Sequence, residues 1–301
     1  MMRSGCRRLL PGIIFLASAC NSHAQDSLHK RERMYISIGM GAGTVITHAG
    51  LYQLWYKDYP SQRFNWINDN HGWLQMDKIG HGFSAFSIAH VSTSIYRGTG
   101  LNQQRSALYG TLWALGFQTP IEIFDGMSAG WGASSGDLMA NTGGALLSGL
   151  QHYFLDDAPV LLRWRYGSSP YPAMRPGTLG GNPRERWLKD YNGQSYWLSY
   201  HTRQRDDSRW PAWLGIAAGY SANGMLGAME NRWTDAAGQV QDYTHVQRYR
   251  QWFIGPDIRF SRIRTRSAVL RKVFLFLDVY RLPLPAAELS QGRLQMHPFL
   301  F

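Results

Sequence analysis

The chain has 301 residues, 44% of them hydrophobic, and a net charge of +11. That is enough apolar material for one large core or two smaller ones, and too much for a disordered chain. The basic excess favours anionic partners such as lipid phosphates. No helix-turn-helix, zinc-finger or RNP-like pattern accompanies it, so nucleic acid is not an expected partner, and a solvated basic surface accounts for the charge equally well.

The N-terminus has the layout of an export signal. Arg3, Arg7 and Arg8 precede the apolar stretch LLPGIIFLASAC, and SHA offers a small-x-small cleavage site after Ala24. The two cysteines, Cys6 and Cys20, both lie in this segment, so cleavage there removes every thiol. A plain signal peptide over 1–24 is the first expectation. The second is lipidation at Cys20, because LASAC is a loose lipoprotein signal.

Four uncharged runs follow: Met34–Tyr56, Ile79–Tyr96, Ser106–Ile121 and Leu138–Leu155. Their lengths suit membrane-spanning or fully buried helices, although Gly, Ala, Ser and Thr dilute the Leu and Ile. Small residues recur at helical spacing, with Gly39, Gly43 and Gly50 on one face of the first run. On the fourth, Asp137, Asn141, Gly144 and Ser148 share a face. Gly39, Gly43 and Gly144 are therefore expected where helix backbones approach closely. Short joints between the runs predict an antiparallel four-helix bundle. Trp55, Tyr56, Trp73, Trp113 and Trp131 stand near run ends, as interfacial or core aromatics would. With a mean hydropathy of −0.32 for the whole chain, membrane association through the N-terminal half is favoured over full embedding.

Residues 163–193 are rich in Pro, Gly, Arg and Tyr and lack periodicity, which predicts a linker. Beyond them, SYWLSYH, WLGIAAGYS, QWFIGPDIRFSRI and KVFLFLDVY are strand-like. In the third, Ile258 and Phe260 alternate with Asp257, Arg259 and Ser261, the pattern of a strand with its apolar face buried. About five strands are too few for a membrane barrel of eight or more.

The polar residues that interrupt the helical runs are the candidate site. Asp77 and His81 lie one turn apart on one helix face, with Lys78 about 100° round. Pro120 is expected to kink or end the third run. Glu122 and Asp125 follow, three apart and so neighbours on a helical turn. In SSGDLMAN, Ser134 or Ser135 is a natural N-cap, Asp137 falls in the first turn, and Asn141 is one turn on. An up-down bundle does not by itself bring these groups together, and a long or re-entrant segment around Pro120–Trp131 is one way to return Glu122 and Asp125 to the others.

Asp77-Lys78-x-x-His81, Glu122-x-x-Asp125 and Ser135-x-Asp137-x-x-x-Asn141-x-x-Gly144, in that order, resemble the VanZ-like superfamily. MDKIGH and SSGDLMANTGGALLSG make the chain most similar to the YfiM-type group of predicted periplasmic lipoproteins, over about residues 34–155. The resemblance implies a compact membrane-associated helical bundle in which these polar residues gather. It supplies no reaction. The expected fold class is therefore mainly α: a four-helix, VanZ-like membrane-associated bundle (25–158), a linker (159–193) and a β-rich C-terminal region (194–301).

Three functions fit the cluster; the two non-enzymatic ones are the first expectation and the hydrolase is the alternative. A structural network would pair Asp77, Lys78, His81, Glu122, Asp125, Asp137 and Asn141 with one another. A head-group site would use Lys78 and His81 to hold an anionic membrane lipid, with no cofactor. A hydrolase would use the same His and carboxylates, with or without a metal, on an envelope lipid or glycan. No H-E-x-x-H or G-x-S-x-G motif supports the last. His48 and His90 lie in apolar runs and are expected to be buried and hydrogen-bonded. The protein is expected in the periplasm, on or in the outer membrane, with other envelope proteins as further partners.

Overall fold

The computed structural model describes residues 10–202, 210–235 and 237–300, with side chains from residue 29 onward. Cys20 and the cleavage position after Ala24 lie outside the described side chains. The first helix, α1, runs Leu10–Leu51 and passes into a π turn at Tyr52–Tyr56. After a two-residue strand, β1 (Trp66–Ile67), come α2 (Met76–Gly98) and α3 (Gln103–Met127). A second short strand, β2 (Ala133–Ser134), pairs in parallel with β1 and leads into α4 (Ser135–Phe154).

Helices α2, α3 and α4 pack against one another, while α1 touches α3 only lightly. Their contact faces are lined by small residues: Ala85, Ala89, Ala114 and Ala145 form one apolar cluster. A Cβ on Gly144 would collide with the Gly82 carbonyl, so only glycine permits that approach. Gly39 and Gly43 do not share this role, since a Cβ on either meets nothing within 4 Å.

The C-terminal half supplies a six-stranded antiparallel sheet in the order β10-β9-β8-β5-β4-β3. The strands are β3 (Val160–Tyr166), β4 (Gln194–Tyr200), β5 (Leu214–Asn223), β8 (Tyr249–Ile258), β9 (Ala286–Ser290) and β10 (Arg293–His297). A hairpin, β6 (Arg232–Thr234) with β7 (Val240–Asp242), projects between β5 and β8. The Pro/Gly-rich stretch contributes β3 and the short helices α5 (Pro176–Leu179) and α6 (Pro183–Lys189); α7 (Ala268–Leu277) lies between β8 and β9.

The expected four-helix membrane bundle is not what forms. Three packed helices dock on an antiparallel sheet, and among the described residues no helix is long and apolar enough to cross a membrane. The runs lack charge without being apolar throughout: α2 alone carries His81, Ser84, Ser87, His90, Ser92, Thr93 and Ser94. Pro120 also fails to end its helix, and α3 continues through it to Met127. Beside it the Phe117 carbonyl bonds His48 Nε2 at 2.9 Å, an outside partner where the helical ladder is weakened.

The start of α2 docks on one end of the sheet. Met76, Trp164, Tyr196, Tyr220, Ala222 and Met225 form the shared core, joined by Trp73, Leu74, Ile79 and Phe83. The opposite sheet face packs Trp197, Ala217, Phe253, Ala286 and Leu300 together and buries paired charges beside them. Arg163 Nε lies 2.7 Å from Asp257 Oδ2, and Arg281 Nη1 lies 2.9 Å from Asp257 Oδ1. The strand pattern expected around Ile258 is thus reversed: Asp257 and Arg259 are buried, because their charges are paired inside rather than left in water.

Candidate functional site

Alternation of helix direction alone assembles the site. Helix α2 starts at one end of the layer, α3 returns to that end and α4 departs from it. The beginnings of α2 and α4 therefore meet the last turns of α3 without any re-entrant segment.

Three consecutive non-glycine residues, Trp73, Leu74 and Gln75, have positive φ (51°, 49° and 67°) immediately before α2. Left-handed backbone is costly for such residues and persists only where the surroundings hold it. Here they do. Trp73 N bonds Ala228 O at 2.7 Å, the Tyr220 hydroxyl bonds Leu74 O, and Arg250 Nη2 bonds Gln75 Oε1 at 2.7 Å. Loop and sheet thus fix the angle at which Asp77 and Lys78 enter the site.

Lys78 Nζ sits 2.6 Å from Asp69 Oδ2, 3.1 Å from Asp77 Oδ2 and 2.8 Å from Asp137 Oδ1. Tyr191 donates to Asp77 Oδ1 at 2.7 Å, and Ser134 Oγ donates to Asp69 Oδ1 at 2.6 Å. His81 Nδ1 lies 3.2 Å from Asn141 Oδ1 and 3.5 Å from Glu122 Oε1. Its Nε2 faces Asp77 Oδ1 at 3.9 Å and Asp137 Oδ1 at 3.8 Å. Asn141 in turn donates to Glu122 Oε1 at 3.2 Å and accepts from Gln118 Nε2 at 2.8 Å.

Six of the eight expected cluster residues therefore meet: Asp77, Lys78, His81, Glu122, Asp137 and Asn141. Asp125 is one turn on from Glu122, and its Oδ1 is bonded by Tyr56 at 2.8 Å. Ser135 is exposed; the cap of α4 is Ser134, whose hydroxyl accepts from Gly136 N and Asp137 N. Asp69, Tyr191, Gln118 and Tyr56 also belong to the site but carry no sequence spacing that links them to it. His48 and His90 are buried and hydrogen-bonded, His90 to His152 at 2.8 Å.

The field is strongly divided. Burial opposes ionisation of Asp77, but the charges of His81 and Lys78 and the Tyr191 bond hold it below the usual carboxylate range. Burial, joined by repulsion from Asp77, raises Asp137. Burial also raises Glu122, and pushes Asp125 up to about 7 against the Tyr56 bond. His81 and Lys78 overcome burial through the surrounding carboxylates, and both are raised. Five carboxylates surround two basic groups, and burial makes three of them, Glu122, Asp125 and Asp137, harder to ionise. His81 Nε2, Asp77 and Asp137 offer three ligand atoms within 4.8 Å of one another, a spacing a metal ion could bridge.

Comparison with known proteins is informative for this part of the chain. Residues 65–153 match the family model described as predicted periplasmic lipoprotein (DUF2279). The match spans β1 to α4 and so contains every residue of the cluster except Tyr56 and Tyr191. It supports an exported, periplasmic protein and names no activity. No curated protein and no solved structure gives a match. Tyr191, Tyr220 and Arg250, which buttress the matched segment, lie outside it.

Proposed function

We propose that the chain is an exported envelope protein that holds a divalent cation between Asp77, His81 and Asp137. The observation that carries this is the orientation of His81. Asn141 and Glu122 engage Nδ1, which leaves Nε2 directed at two carboxylate oxygens 3.8–3.9 Å away. A metal-bound imidazole is typically oriented in this way through its second nitrogen. Ligands about 2.1 Å from one ion lie roughly 3–4 Å apart, so little side-chain movement is needed. A three-ligand site leaves positions for water and substrate, which suits hydrolysis of an envelope phosphoester or amide. An anionic head group is a poor occupant, because Lys78 is already surrounded by three carboxylates. Association with the outer membrane, through Cys20 or through exposed apolar side chains such as Leu112, Leu150 and Phe154, belongs to the same proposal.

A purely structural network is the second reading, and Lys78 favours it: its ammonium already neutralises part of the cluster. Metal analysis of the full chain, purified in mild detergent without chelator, separates the two. About one divalent ion per chain, lost in a folded His81→Ala variant, is the expected result. Absence of metal, with no binding heat on adding magnesium, manganese, calcium or zinc, leaves the structural network in place.

A further inference from the structure

An opening lies away from the polar cluster. A groove of about 700 Å³ runs between α1 and α3, within the usual range for small-molecule sites. One wall is a single face of α1, with Met34, Ser37, Gly41 and Thr44; the other is a face of α3, with Leu112, Trp113, Gly116 and Phe117. Helix α1 is tied at two places. Near its described start, Ser37 Oγ meets the Tyr96 hydroxyl at 3.0 Å, and Arg33 Nη1 donates to Thr99 O at 3.4 Å. Near its end, His48 bonds Phe117 O. Between these ties the helices stand apart, and a Cβ on Gly41 or Gly116 meets nothing within 4 Å.

The walls are mainly apolar, and the Ser37 and Tyr96 hydroxyls satisfy each other, so water in the groove finds few partners. At one end stand Lys30 and Arg33. They outnumber the nearby Glu32, which lies 3.7 Å from His29 Nδ1, so the mouth is cationic. From Lys30 to Thr44 the helix advances about 21 Å, enough for an acyl chain that fills one leaflet of a hydrocarbon core ~30 Å thick.

We propose that this groove binds one anionic phospholipid, with an acyl chain between α1 and α3 and the phosphate at Lys30 and Arg33. Two features select this occupant: an apolar slot of acyl length and a cationic mouth at one end only. The site is distinct from the Asp77–His81–Asp137 cluster. Tyr109, near the mouth, and Glu122, in the cluster, are separated by about 20 Å along α3. The phosphate at the mouth is thus remote from the cation site, although the inner end of the groove at Phe117 comes within about 8 Å of Glu122 along α3.

Fluorescence quenching of the full chain in mild detergent tests the proposal, with Trp113→Phe identifying the Trp113 component. Phosphatidylglycerol with brominated acyl chains should quench Trp113, and brominated phosphatidylcholine should need about thirtyfold more lipid, given about fivefold per cationic contact. A brominated fatty acid distinguishes a free carboxylate amphiphile from a phospholipid and should bind more weakly than phosphatidylglycerol. Gly116→Phe and, on the other wall, Gly41→Phe should each fill the slot and abolish quenching while the protein stays folded by circular dichroism. Lys30→Glu with Arg33→Glu should remove the preference for phosphatidylglycerol. Unchanged quenching in both filled variants would overturn the proposal. So would equal binding of phosphatidylcholine, preference for the fatty acid, or a dimer whose second copy covers the groove and excludes lipid.

Discussion

Replacing Lys78 by Met removes an ammonium that lies 2.6–3.1 Å from three carboxylates while keeping most of the side chain's apolar volume. Removing one partner of a buried ion pair costs about 3–5 kcal/mol, because the other charge is left uncompensated. Asp69 and Asp77 retain side-chain exposures of 28% and 21%, so water screens part of the loss, whereas Asp137 retains only 7%. The expected cost is therefore at the lower end, about 3 kcal/mol, or a fall of roughly 5 °C in melting temperature for a chain of this size. A divalent cation should reverse it. At a hundredfold excess over Kd, binding to the folded state alone contributes about 2.7 kcal/mol, close to the whole deficit. The unsubstituted protein should gain less from the same metal, because its lysine competes for the Asp77 and Asp137 oxygens. Thermal melts of both proteins, with EDTA and with each metal, measure these terms. If the Met variant melts with the wild type in EDTA, the carboxylates do not depend on Lys78. If metal stabilises both proteins equally, lysine and cation do not share ligands and the site assignment fails.

Two further outcomes follow from the same geometry. Asp125 titrates near 7 in the folded protein, against 3.8 for the free side chain, so the folded state holds the extra proton between these values. Stability is therefore unaffected by this group below about pH 4, falls as pH rises from 4 through 7, and stays lower above that by at most about 4 kcal/mol. Asp125→Asn, which keeps an acceptor for Tyr56, should therefore raise the melting temperature at pH 8 and leave it unchanged near pH 4; an equal gain at both would exclude this origin. Gly144→Ala should destabilise by about 1–3 kcal/mol in urea titrations, because its Cβ meets the rigid Gly82 backbone, whereas Gly43→Ala should be neutral or slightly stabilising.

The helices were legible because absence of charge over 16–23 residues is a strong signal, and α2, α3 and α4 lie close to the second, third and fourth uncharged runs. Their environment was not, because absence of charge does not distinguish lipid from a protein core that pairs serines and histidines internally. His90 and His152 bond each other at 2.8 Å, and Gln118 bonds Asn141 at 2.8 Å. The sheet was harder to read. In β4, Trp197 and Ser199 are buried while Leu198 and Tyr200 are exposed, so alternation survives but polarity no longer labels the inner face.

The cluster itself was legible where partners lie one turn apart on a helix, as with Asp77 and His81 or Asp137 and Asn141. It was illegible where the partner is brought by tertiary folding, and those partners decide what the site can do. Asp69 comes from a loop and captures Lys78 at 2.6 Å, so a lysine that sequence alone offers to an anion is already engaged. Tyr191 comes from the sheet half and fixes Asp77, while Glu122 and Asn141 settle which His81 nitrogen faces the carboxylates. These contacts are the grounds on which a cation, and not an anionic head group, is proposed for the site. The lipid site proposed above has its mouth about 20 Å away along α3, where Lys30 and Arg33 stand beside an apolar groove instead of among carboxylates.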